Sequence, residues 1–214
     1  MKGTALIILL IFVSRANAQP LPSDTFVNGV RICSRYSVSH FPESWQASPI
    51  NASGEPIAFG EQKRSLASVI AAMHKYPLAV LQKNLNAVYL LRSMKFYNVG
   101  YGGTNSLDAL FLTNEGLALG YSDLYLEQTF HHEFSSILYR NYPSYIDSAA
   151  WMNAHVSGFD YDDPENGVGA IRNNKSSQDF DTVLCTKGFL TQYAMSGMEN
   201  DINTIAQNLF SPSA

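Results

Sequence analysis

Apolar residues recur along the chain at spacings that predict three main helices. The segment 65–76 has apolar residues at helical spacing and stops before Pro77, which limits a helix there. A longer helix is predicted over 123–139, where one apolar stripe is formed by Phe130, Phe134, Ile137 and Leu138. The chain closes with a predicted helix over 198–209. Each of these helices has an apolar side that must face a core.

Three segments with branched, aromatic and alternating residues predict strands, at 30–38, 87–91 and 107–112. The last of these is a candidate edge strand for a bound substrate. A Gly-rich turn is predicted at 100–103, and Pro, Gly, Asp, Asn and Ser concentrate in predicted loops at 41–60 and 151–187. With no internal repeat or linker, this order predicts a single α+β domain with a small sheet.

The N-terminus has the three zones of a cleavable secretory signal peptide. Lys2 precedes an apolar run over 4–13, and Ala16-Asn17-Ala18 forms a small-x-small cleavage site. The run is well short of the ~20 residues that a membrane-spanning helix needs. We therefore expect cleavage after Ala18, a signal peptide over 1–18, a domain over 19–214, and a secreted or periplasmic protein with no integral membrane segment.

Charge and cysteine content narrow the function classes. The formal charge falls from −4 to −6 on cleavage, because the signal peptide contains Lys2 and Arg15 and no acidic residue. A protein with a net negative charge is not expected to bind nucleic acid, whose phosphate backbone is also negative. Cys33 and Cys185 are the only cysteines. In an exported protein they form either one disulfide or two buried free thiols, and both alternatives stay open here.

The segment TFHHEFSSIL at 129–138 carries the clearest chemical signal, because His132-Glu133 on a helix is the first half of the zinc-peptidase motif HExxH. In that motif two histidines one turn apart bind zinc, and the glutamate activates the metal-bound water. Ser136 stands here in place of the second histidine. The alternative is that His131, His132 and Glu133 are polar residues on the exposed side of an amphipathic helix.

A second segment, GFLTQYAMSGMENDI at 188–202, extends this similarity. Together the two segments resemble the gluzincin metallopeptidases, in particular the exported zinc-binding metallopeptidases related to the anthrax lethal-factor catalytic domain. The resemblance implies a zincin-like fold with a small mixed sheet, an active-site helix and a C-terminal helix. It implies His132 and Glu199 as zinc ligands, Glu133 as general base, and Tyr193 as the group that stabilises the oxyanion.

Each transferred role has an alternative. Glu199 also fits a capping box that begins at Ser196, and Tyr193 also fits a core aromatic residue. His155 is the one remaining histidine that we consider as a replacement for the ligand lost at position 136. The sequence thus predicts an exported zinc-dependent metallopeptidase acting on a peptide or protein substrate. The alternatives are a catalytically inactive zincin-like module that binds peptides, and a structural domain without cleft chemistry.

Overall fold

The ten-residue strand β4, Ala87–Phe96, is the centre of the structure. A computed structural model of the protein describes residues 24–161 and 167–212. Two strands pair in parallel with the first half of β4, one on each side: β2 (Val30–Cys33) and β7 (Ala109–Thr113). These three strands form the buried middle of the sheet.

Four shorter strands complete the sheet, and all of them pair antiparallel. Strand β1 (Asp24–Val27) lies beside β2, and β6 (Gly103–Asn105) lies beside β7. The second half of β4 pairs with β3 (Ser53–Pro56) and β5 (Val99–Gly100). Along the main path β1 and β6 are therefore the two outer strands.

The described residues form eight α-helices, of which α2, α4 and α8 are the long ones. In chain order they are α1 (Glu43–Gln46), α2 (Phe59–Met73), α3 (Leu78–Asn84), α4 (Asp123–Asn141), α5 (Ser148–Asn153), α6 (Val168–Arg172), α7 (Thr182–Cys185) and α8 (Met198–Phe210). Helix α4 packs against α2, α8 and the strands β6 and β7. It therefore lies next to the outer strand β6.

The sheet is buried on both faces. Leu110 and Leu112 of β7 belong to a core cluster that includes Phe130 and Phe134 of α4. Phe111, whose side chain points the other way, packs in a second cluster with aromatic and aliphatic residues of the opposite face. A strand covered on both sides has no polar face, which explains the continuous apolar run ALFL at 109–112.

The structure is an α+β protein with a mixed sheet, and the three predicted main helices are present. The strand predicted over 30–38 ends at Cys33, and the strand predicted over 87–91 continues to Phe96. Three further differences matter. Helix α2 begins at Phe59, earlier than predicted; its first residues FGEQKR show no apolar stripe and no capping side chain that would have marked the start. The segment expected to be an edge strand, 107–112, corresponds to β7 and is internal. The outer strand is β6 instead, which begins at Gly103, the last residue of the predicted Gly-rich turn.

The predicted loops also contain structure. Residues 41–60 include α1 and β3, and residues 151–187 include α6 and α7 together with part of α5. These elements are too short for a periodic apolar pattern to develop.

Both cysteines are free thiols, with Cys33 buried and Cys185 partly exposed. The predicted signal peptide, residues 1–18, lies outside the described residues. Within the described ranges no helix has the length and apolar character needed to cross a membrane.

Candidate functional site

Helix α4 packs against the sheet on one side and against α8 on another, and this position buries polar as well as apolar side chains. The helix begins after Ser122, whose hydroxyl accepts a hydrogen bond from the Tyr125 amide at 3.0 Å. His131, His132 and Glu133 are all buried. The alternative that they lie on an exposed helix face is therefore wrong.

His132 is a neutral imidazole held between two side chains. Its Nδ1 donates a hydrogen bond to Gln207 Oε1 at 2.8 Å, and its ring stacks on Tyr193 with centroids 6.0 Å apart. Burial lowers the pKa of His132 to about 4, although the bond to Gln207 acts in the opposite direction. With the proton on Nδ1, the Nε2 atom is an unprotonated acceptor.

Glu133 is a buried carboxyl group beside the outer strand. Its Oε2 accepts a hydrogen bond from Asn105 Nδ2 at 2.6 Å. Burial raises the pKa of Glu133 to about 7, and the Asn105 bond opposes this shift. Gly103 makes the close approach of α4 and β6 possible, because a Cβ atom there would lie 2.6 Å from Glu133 Oε1.

Glu199 forms an ion pair rather than a cap. Its Oε1 lies 3.2 Å from Arg140 Nη1, near the end of α4. The same guanidinium donates to the side-chain oxygen of Asn105. Helix α8 has Gly197 as its N-cap and no side-chain capping bond, so the predicted capping box with Ser196 is absent. Hydrogen bonds thus link Glu199 to Glu133 through Arg140 and Asn105, and the negative charge of Glu199 also helps to raise the pKa of Glu133.

Ser136, at the position of the missing histidine, faces α8. Asn203 Nδ2 donates to its hydroxyl at 2.7 Å, and Asn203 Oδ1 has no hydrogen-bond partner among the described residues. His132 and Ser136 of α4 therefore oppose Gln207 and Asn203 of α8, one helical turn apart on each helix.

This donor set does not fit a zinc ion as it stands. Zinc sites use nitrogen, sulfur and carboxylate ligands, whereas His132 is accompanied here by a hydroxyl and two amides. In the described part of the chain, no three His, Cys, Asp or Glu side chains are grouped so that they could hold a metal. The zinc ion stays a prediction, which metal analysis tests.

His132, Glu133 and Tyr193 do share one cavity, of about 270 Å³. The cavity opens beside β6 and is lined by residues of α4, α8, the Gly-rich segment and the segment 171–193. Its lining consists of Gly100, Tyr101, Gly102, Gly103, Tyr125, Gln128, Thr129, His132, Glu133, Ile171, Ser176, Gln178, Tyr193 and Gln207. The structure thus brings together three of the four predicted site residues and leaves Glu199 outside the lining.

His155, the candidate replacement ligand, belongs to a different buried cluster. Its Nε2 lies 2.9 Å from Asp201 Oδ2, which also accepts hydrogen bonds from Trp151 Nε1 at 2.9 Å and from Tyr161 at 2.6 Å. Asp201 Oδ1 and His155 Nδ1 have no partner among the described residues. His155 does not line the cavity.

Sequence reasoning missed the amide side chains of the site. Asn203 and Gln207 lie one turn apart on α8. This spacing, among apolar residues, could have indicated that the two amides share one face of the helix. Asn105 had no such signal, because its contact with Glu133 depends on the pairing of β6 with β7.

Comparison of the chain with protein-family models, with curated proteins and with solved structures gives no match. The resemblance to the gluzincins therefore rests on the two short segments around His132 and Tyr193. The α+β architecture rests on the structure itself.

Proposed function

We propose that this protein is an exported binding module that holds an extended peptide along β6, beside the cavity of Glu133 and His132. The observation that carries the proposal is an outer strand next to that cavity whose second edge pairs with no other strand of the described residues. A peptide that adds to a sheet edge gains main-chain hydrogen bonds from the edge and selectivity from a neighbouring pocket.

The hydrogen-bond pattern of β6 supports this edge as the binding surface. Gly102 accepts from Thr113 N at 2.9 Å, and Ser106 donates to Ala109 O at 2.8 Å, so these two residues face β7. Main-chain groups alternate along an antiparallel strand. Gly103 and Asn105 therefore direct their N–H and C=O groups to the open edge, where a peptide backbone can pair with them.

Backbone methylation of a bound peptide tests the proposal. A peptide selected from a random-sequence library would be made with N-methyl groups at odd positions in one series and at even positions in the other. Strand addition predicts that one series loses binding and the other keeps it, because alternate amides face β6. Binding should also protect the amides of Gly103 and Asn105 from hydrogen exchange.

The other outer strand provides an internal control. Protection of the β1 amides, 24–27, with none in β6 would place the peptide on the opposite edge and contradict the proposal. Equal affinity of both methylated series would exclude strand addition altogether.

A metallopeptidase is the second candidate function. Two features favour it: the buried Glu133 carboxyl, which is suited to a general base, and the unprotonated Nε2 of His132 beside it. When bound, zinc would activate a water molecule for attack on a peptide carbonyl. Of the described groups in the cavity, His132 and Glu133 are of ordinary ligand types, and with Glu133 as the base His132 would be the one ligand.

Metal content decides between the two candidates. The mature protein would be purified without chelator and analysed for metals beside His132→Ala and Glu199→Ala. About one zinc per chain, lost in both variants, would support the peptidase. Lack of zinc even after zinc is supplied would contradict the peptidase and leave the peptide-binding module.

A further inference from the structure

The cavity beside β6 has an unusual balance of charge. Glu133 is the only Asp, Glu, Lys or Arg among the described residues that line it, and the His132 imidazole is neutral. The Glu133 Oε2 atom is already bonded to Asn105, whereas no hydrogen bond of Oε1 is found among the described residues. Among the described lining residues there is therefore one carboxyl oxygen without a hydrogen bond and no cationic side chain. Arg140 acts on Glu133 from outside the lining, and Glu199 opposes it there.

The rest of the lining also suits a cation. Tyr101, Tyr125 and Tyr193 are among the lining residues, and aromatic faces attract ammonium and guanidinium groups. The amides of Gln128 and Gln178 add neutral polar groups. An anionic ligand would meet the Glu133 carboxyl with no compensating base among these residues.

We infer that this cavity takes the side chain of a lysine or arginine from the bound peptide. The inference rests on the proposed function for the peptide and on the cavity itself for the cation. The volume of about 270 Å³ suits one long side chain, because it lies just below the range of roughly 300–1,000 Å³ typical of sites for whole small ligands.

The pairing of the peptide with β6 would place that side chain next to Glu133. The Cβ position of Gly103 points at Glu133 Oε1, and the Asn105 side chain also reaches Glu133, so this face of β6 looks towards α4. Directly paired residues of neighbouring strands have their side chains on the same face. A basic residue paired with Gly103 is therefore aimed at the free carboxyl oxygen.

The net charge of the whole chain also favours a basic peptide. The formal net charge is −4 at pH 7. A negative protein attracts basic peptides over distances of a Debye length and raises their rate of association.

The test compares matched peptides on two proteins at pH 8 by calorimetry. A selected lysine peptide and its norleucine counterpart differ in the ammonium group and little else. We expect norleucine to weaken binding roughly tenfold to hundredfold, because a charge-assisted hydrogen bond is lost. Glu133→Gln should weaken the lysine peptide by a similar factor and leave the norleucine peptide unchanged.

Glu43→Gln is the matched control, since it removes one negative charge from an exposed position outside the cavity lining. It should change the affinity of the lysine peptide less than twofold. Circular dichroism of each variant checks that the fold is intact. The peptide comparison on the unchanged protein needs no variant and decides the question if Glu133→Gln fails to fold.

The outcomes separate the two proposals. Equal binding of lysine and norleucine peptides would overturn the cation site while peptide binding stands. Glu133-dependent binding of n-butylamine, with no binding of any peptide, would keep the cation site and overturn the proposed function. Lack of binding by both peptides and amine would overturn both.

Discussion

At the scale of single residues, Glu133 is a buried carboxyl group whose ionised form the fold disfavours. A carboxylate loses its hydration when it is buried, and the single bond from Asn105 compensates only in part. The pKa of about 7 reflects this cost. A buried acid that opposes folding at neutral pH is characteristic of functional sites rather than of cores.

Stability should therefore depend on pH through this residue. Between the ordinary pKa of 4.5 and the folded value of about 7, the folded protein keeps a proton that the unfolded chain has released. The free energy of unfolding thus falls as pH rises through this window. The free energy of unfolding of Glu133→Gln should equal that of the unchanged protein below pH 4.5. Above pH 7 it should be larger by about 3 kcal/mol.

Urea unfolding at pH 4.5 and pH 8, with no metal or ligand added, measures this difference. His131 and His132, whose pKa values are lowered to about 4 by burial, are present in both proteins and cancel in the comparison. If the two proteins differ in free energy of unfolding by the same amount at both pH values, Glu133 is not a buried carboxyl that stays protonated in the folded protein.

At the scale of elements, the contact between α4 and α8 determines the chemistry of the site. The paired side chains are His132 with Gln207 and Ser136 with Asn203. Hydroxyl and amide groups occupy positions where a zinc site would need imidazole and carboxylate. Whether the distance between the two helices suits a zinc site is a separate question from which side chains occupy these positions. It can therefore be tested by substituting the side chains.

Restoring ligands tests whether the helices are placed as in a zinc peptidase. In Ser136→His with Asn203→Glu, three ligands would face one another across the two helices. Saturating zinc should raise the Tm of this double variant by about 5–10 °C, since a tightly bound ligand stabilises the folded state. Differential scanning calorimetry with and without zinc measures it.

Ser136→His alone is the control, and zinc should raise its Tm by less than that of the double variant. Zinc stabilisation that persists after His132→Ala is added would show that the metal binds elsewhere, contrary to this arrangement.

Asp201 attaches the segment after α5 to α8. Its Oδ2 accepts from Trp151, Tyr161 and His155, and its side chain is fully buried. Asp201→Asn replaces a charged acceptor with a neutral amide and should lower the free energy of unfolding by about 3 kcal/mol. Asp160→Asn, at an exposed position, should change it by no more than about 0.5 kcal/mol. Urea unfolding compares them, and equal effects would contradict the buried cluster.

At the scale of the whole molecule, the fold is held by a sheet with apolar contacts on both faces rather than by a covalent bond. Strand β4 contributes to both core clusters, through Leu90 on one face and Leu91 on the other. A sheet covered in this way is stable without a disulfide, provided enough apolar area is buried.

The thiols should therefore behave independently. Reducing agent should leave the Tm unchanged, and brief alkylation of the native protein should modify Cys185 and spare the buried Cys33. Burial also raises the pKa of Cys33, which lowers the amount of reactive thiolate. Mass spectrometry of the labelled protein checks both statements. A mass two units lower in the untreated protein, with a fall in Tm on reduction, would indicate a disulfide instead.

The sequence by itself determined the long elements. Helices α2, α4 and α8 and strand β4 follow from the spacing of apolar residues, which is a local property of the chain. The α+β class followed from their order. The resemblance to the gluzincins placed His132, Glu133 and Tyr193 in one site, and all three line one cavity.

Only the tertiary structure decided what these side chains contact. Strand β6 is three residues long and exists through its pairing with β7, so no local pattern marks it. The partners Asn105 and Gln207 lie far from α4 in the sequence. The pairing of Glu199 with Arg140 likewise depends on how α8 packs on α4. Hydrogen bonding and burial at the site are set by packing between distant segments, and composition or spacing does not encode those contacts.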